Sequence, residues 1–152
     1  GKNEDMKGEE FIGTAGNKLS TALESAGISR NEVYITNIVK CRPPKNRVPT
    51  AIERNTCQDY LKKEIEIINP KIICVLGNTA FNSLLDGKEI IKFRGKVVRK
   101  NNQLYFLTIH PAATIYNQKL ISVLKKDIKK LFKLIQKIKE GKKVKIDIEH
   151  MP

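Results

Sequence analysis

The chain has 152 residues with 29 Lys and Arg against 16 Asp and Glu, a formal net charge of +13, and 40% of its residues are apolar. That length forms one domain with its own core, and apolar residues in patterned runs exclude a disordered chain. The longest wholly apolar run, Ile72 to Leu76, is far too short to span a bilayer, and three cysteines make no disulfide framework. With no charged-then-apolar leader at Gly1, the expected setting is cytoplasmic, with no membrane partner.

In chain order, Leu19, Ala22, Leu23 and Ala26 recur at helical spacing and Gly27 suits the position that ends a helix. Val33 to Val39 is β-branched and aromatic, a predicted buried strand. A proline-rich loop from Arg42 to Pro49 follows, and Thr50 with Glu53 forms a capping box that opens a helix to about Ile68. Lys71 to Leu76 reads as a second strand, and Thr79 to Leu85 as a short helix. After Gly87 the pattern predicts extended chain at Ile90-Ile91 and Val97 to Arg99, a turn at Asn101-Asn102, and a strand from Leu104 to Ile109. Leu120, Leu124, Ile128, Leu131, Ile135 and Ile138 then mark one face of a last helix. Residues 141–152 show no clear pattern and are set apart as a C-terminal tail from a domain spanning 1–140. Alternating helices and strands predict a three-layer α/β/α fold with a mainly parallel central sheet, its working site at the carboxyl ends of the strands.

The charge is uneven. Eleven lysines and two acids lie between Asn117 and Lys145, nine of the thirteen net positive charges. This fits a solvated helix face and equally a positive field that attracts a polyanion. The abundance of Lys and Ile fits a heat-adapted source.

Four patches carry a chemical signal. They are Gly1 to Asp5 leading to Phe11-Ile12-Gly13, Ile35 to Pro44 with Asn46 beyond, Val75 to Ala80, and Thr108 to Ala113 with His110-Pro111 at its centre. There is no Walker pattern and no complete Gly-x-Gly-x-x-Gly, which argues against a nucleotide cofactor. In this order the patches resemble the uracil-DNA glycosylase superfamily, most closely its family 4, the iron–sulfur type. The string Ile-Thr-Asn-Ile-Val-Lys-Cys-Arg-Pro-Pro, a second cysteine sixteen residues after Cys41 at Cys57, and His-Pro-Ala-Ala carry the resemblance.

The resemblance implies a uracil-DNA glycosylase-like fold and a monomer that flips uracil out of DNA and hydrolyses its N-glycosidic bond. It implies Phe11 as the stacking ring, Asn37 as the reader of the pyrimidine edge, His110 as the hydrogen-bond donor to the leaving base, and Glu4 as the group that positions water. Lys45, Asn46, Ala112 and Ala113 are then the expected DNA contacts. Cys41 and Cys57 are two of the four expected ligands of a 4Fe-4S cluster. Cys74, inside an apolar strand, is expected to be structural. The family's first strand and its Cys-x-x-Cys pair have no counterpart, since the sequence starts inside the first motif. The expectation is therefore a piece of a longer protein or, as the alternative, a DNA-binding module of the same fold with impaired catalysis.

Overall fold

A computed structural model describes residues 21–28, 33–35 and 61–149. Among the described residues the elements are β1 (Ile72–Leu76), α1 (Asn78–Leu85), a 3-10 turn (Ile90–Lys92), β2 (Val97–Lys100), β3 (Gln103–Thr108), α2 (Ala113–Tyr116) and α3 (Leu120–Lys139). Residues 21–25 and 61–68 are also helical. The remainder of the two predicted N-terminal helices, and residues 36–39 of the predicted strand, lie outside the described residues; residues 33–35, the described part of that prediction, are not in a strand.

The sheet has the order β1-β3-β2. β1 and β3 run parallel, in register from Ile72 opposite Leu104 to Leu76 opposite Thr108, while β2 pairs with β3 antiparallel through the turn at Asn101-Asn102. Alternation along the strands sends side chains to two cores. Phe106 and Val97 meet Leu124, Ile128 and Leu131 of α3 together with Ala22 and Leu23, whereas Val75, Val98 and Leu107 meet Phe81 and Leu85 of α1. Helices thus cover both faces of the sheet, the α/β arrangement expected. Among the described residues the sheet is mixed, because the hairpin contributes an antiparallel strand.

α3 forms where the apolar period requires it. Its buried row of Leu124, Ile128, Leu131 and Leu134 contributes about 1.5–3 kcal/mol per side chain. Lys137 and Lys139 sit in its last turn, where cations complement the exposed carbonyls. Gly141, at φ 71°, then reverses the chain, with Gly141 N–H donating to Ile138 O at 3.1 Å and Lys142 N–H to Lys137 O at 2.9 Å.

Two further local readings differ from the structure. Ile90-Ile91 is a 3-10 turn, not extended chain. The side-chain Oδ1 of Asn78 accepts from Ile90 N–H at 2.7 Å, so that donor is unavailable to a β ladder. The second difference is in residues 141–149, which run back along the outer edge of β2. Arg99 N–H donates to Ile148 O at 2.9 Å, Ile148 N–H to Val97 O at 3.1 Å, and Val97 N–H to Asp147 Oδ2 at 2.8 Å. Val144 and Ile146 pack on the α3 side of the sheet and Ile148 on the α1 side. Among the described residues, no helix is long and apolar enough to cross a membrane.

Candidate active site

Because β1 and β3 are parallel, their carboxyl ends emerge side by side. Gly77 N–H donates to Thr108 O at 3.0 Å, which extends the pairing one residue past the strands. Gly77 has φ 91° and ψ 175°, a conformation essentially confined to glycine. A Cβ built on it would lie 2.8 Å from the Cβ of His110. The backbone of the β1–α1 turn therefore fits directly against the histidine. Gly77→Ala is expected to destabilise the fold by about 1–3 kcal/mol and to displace His110. A urea titration beside an activity assay at a temperature where the variant is folded checks both effects.

His110 leaves β3 through Ile109, which is buried, and is fixed by the turn that follows. Ala112 N–H donates to His110 Nδ1 at 3.0 Å, and Ala113 N–H donates to His110 O at 3.0 Å. Thr114 is buried, and its hydroxyl donates to Pro111 O at 2.7 Å. With Nδ1 accepting, the neutral imidazole carries its proton on Nε2, so the far side of the ring is a hydrogen-bond donor. Ala112 and Ala113 thus serve the histidine through their backbone. Beyond them, α2 leaves Ile115 and Tyr116 exposed, Tyr116 at 90%.

Behind the histidine lies a network that the sequence reading missed. Thr108, fully buried, donates its hydroxyl to Asp127 Oδ2 at 2.7 Å. Arg94 Nε donates to the same oxygen at 2.9 Å, and Arg94 Nη2 to Asp127 Oδ1. Asp127 is 1% exposed, in the middle of α3. Its hydrogen bond and charge raise the Arg94 guanidinium further above its ordinary range. Lys130 Nζ also donates to Gly95 O, next to Arg94. The end of β3, two residues before His110, is thereby tied to α3 by a fork of charged hydrogen bonds.

Cys74 of β1 packs against the α3 core. Burial, and secondarily the negative charge of Asp127, push its thiol from 9.0 up to about 12. Its place among the apolar side chains between β1 and α3 agrees with the structural role expected of it. The sign gives a pH prediction. A folded-state pKa raised from 9.0 to about 12 supplies stability that is whole below pH 9 and is lost as pH rises toward 12. The urea midpoint should therefore fall less steeply above pH 9 in Cys74→Ala than in the wild type.

Of the residues singled out from sequence, His110, Ala112 and Ala113 come together at the carboxyl edge of the sheet. Glu4, Phe11, Asn37, Cys41, Lys45, Asn46 and Cys57 lie outside the described residues. Among the described residues, no three His, Cys, Asp or Glu side chains are grouped to hold a metal ion.

A sheet covered on both faces, with a backbone-oriented imidazole where two parallel strands end, defines an α/β protein, a class in which ligands bind outside the carboxyl ends of the strands. The Uracil DNA glycosylase superfamily model matches residues 1–136, and the chain belongs to that family. It is 42% identical over 146 residues to the Type-4 uracil-DNA glycosylase of Archaeoglobus fulgidus, covering 90% of this chain and 73% of that protein. It is 41% identical over 142 residues to the Type-4 uracil-DNA glycosylase of Thermotoga maritima, covering 90% of this chain and 74% of that protein. The match to the protein of the same name from Sulfurisphaera tokodaii is 41% identical over 144 residues, covering 88% and 66%. The chain thus spans about two thirds to three quarters of the length of these relatives.

Proposed function

We propose that this chain is a uracil-DNA glycosylase of the type-4 kind, acting in DNA repair on uracil-containing DNA and leaving an abasic site. The observation that carries the reading is the bond from Ala112 N–H to His110 Nδ1, which orients the ring at the carboxyl edge of the sheet and assigns its proton to Nε2. In hydrolysis the C1′–N1 bond breaks, its electron pair leaves with uracil, and a water oxygen bonds to C1′. Negative charge therefore builds on the base oxygens, and a pre-aimed donor is worth most where charge develops. His110 is assigned that donor role at O2.

The remaining assignments rest on the motifs. Phe11 stacks on the extruded ring, Asn37 pairs with its edge through one amide donor and one acceptor, and Glu4 positions the water. Lys45 and Asn46 contact the phosphate backbone, and the stretch from Ala112 to Tyr116, whose last residue is 90% exposed, enters the groove vacated by the base. Cys41 and Cys57 are proposed as two thiolates of a 4Fe-4S cluster, which when bound would tie together the two segments that carry them; the third cysteine, Cys74, is packed in the α3-side core and is given no ligand role. Iron analysis and visible absorbance of the protein, lost in Cys41→Ala, test that assignment independently of activity.

The decisive experiment incubates the protein with a uracil-containing oligonucleotide and measures alkali-labile sites against a thymine control. Cleavage at uracil alone, abolished in Asn37→Ala, is the expected result. Binding to DNA without any abasic product would overturn the proposal.

A further inference from the structure

Helix α3 has an outer face that the chemistry at His110 does not use. At about 100° of rotation per residue, Lys119 and, within the helix, Lys126, Lys129, Lys130, Lys133 and Lys137 fall in one arc of roughly 100°. The arc lies opposite the buried row of Leu124, Ile128 and Leu131, and all six lysines are exposed, Lys130 at one margin with its amine on Gly95 O. From Lys119 to Lys137 it runs about 27 Å at 1.5 Å per residue.

Two observations set this face apart from an ordinary solvated one. A helix surface built for stability places Glu four residues before Lys, whereas here Lys126–Lys130, Lys129–Lys133 and Lys133–Lys137 put like charges at that spacing, which is destabilising. The one acid of α3, Asp127, is buried and held by Arg94 and Thr108. Among the described residues, no salt bridge involves any of the six lysines. The repulsion is relieved when a polyanion lies along the face.

We propose that the lysine face of α3 is a docking surface for the phosphate backbone of duplex DNA. It starts nine residues after His110, where α2 gives way to α3, and leads away from the strand edge. A membrane is a poor fit, because the apolar side of α3 is buried in the core and cannot enter a bilayer. A duplex carries one negative charge per about 1.7 Å of axis and matches a long, evenly charged row. The proposal deepens the glycosylase reading, yet it is testable on DNA that contains no uracil.

The experiment titrates the full chain with a uracil-free duplex longer than α3 and follows fluorescence anisotropy across salt concentrations. The variants are Lys126→Gln, Lys129→Gln, Lys133→Gln and Lys137→Gln combined, the same four changed to Arg, and a charge-matched control with Lys62, Lys63, Lys88 and Lys96 changed to Gln. Each lost phosphate contact removes about 0.9 from the slope of log K against log salt, so the first variant should flatten it by about 3–4. The Arg set should keep the wild-type slope, and the control should move it much less. Equal flattening by the control, an unchanged slope in the first variant, or a slope lost in the Arg set would overturn the proposal. Uracil release from a single-stranded oligonucleotide too short to reach α3 should match the wild type in the first variant. If even the wild type releases no uracil, the glycosylase reading fails, while the duplex titration still decides the fate of the lysine face.

Discussion

His110→Ala is expected to slow uracil release about 10²–10³-fold under single-turnover conditions with enzyme in excess, the usual loss when one aimed donor is removed from a site of developing charge. Binding to uncleaved DNA should change little, because the role proposed for the side chain is at the base and not at the backbone. His110→Gln supplies an amide donor but has no ring nitrogen for Ala112 N–H to hold, so partial recovery is expected. The geometry requires that ordering, since the ring is positioned by the bond to Nδ1 at 3.0 Å and by the close fit of Gly77. A loss of less than about tenfold in His110→Ala would mean that charge on the base is stabilised by other groups.

Arg94→Ala is expected to give the largest loss of stability, about 3–5 kcal/mol, because it leaves the Asp127 carboxylate buried without its counter-ion. Asp127→Ala should cost less. The Arg94 side chain is 30% exposed and can turn to water, which leaves the Thr108 hydroxyl as the main unsatisfied group, at about 1–3 kcal/mol. The double variant should therefore be more stable than the sum of the two losses predicts. Urea denaturation of the four proteins in this cycle measures the coupling. Additive losses would show that the two side chains do not act as a pair.

Much of this architecture was legible in the sequence because two periodicities are strong. The steps of three and four from Leu120 to Ile138 specify α3, and the runs Ile72 to Leu76 and Leu104 to Ile109 specify the strands whose ends hold Gly77 and His110. What escaped depends on partners distant in sequence. Ile90-Ile91 has β-branched side chains that favour extended chain, but a bond from Asn78, twelve residues earlier, decides its shape. Asp127 stands in the buried row of α3 with only its position among Leu124, Ile128 and Leu131 as a signal. Its fitness for that place comes from Arg94, 33 residues away. The alternation of Val144, Ile146 and Ile148 with charged residues was a strand signal, obscured by the lysines around it.

That last segment has a consequence for how the molecule behaves among its own copies. β2 would otherwise offer Val97 and Arg99 backbone groups to any passing strand, and an uncovered edge is a template for self-association. Asp147 and Glu149, which engage Val97 and Arg99, place negative charge on the covering segment, so an approaching strand meets a charged border. A chain cut after Glu140 would keep His110 and α3 while gaining a route to fibrous aggregates that grows with concentration.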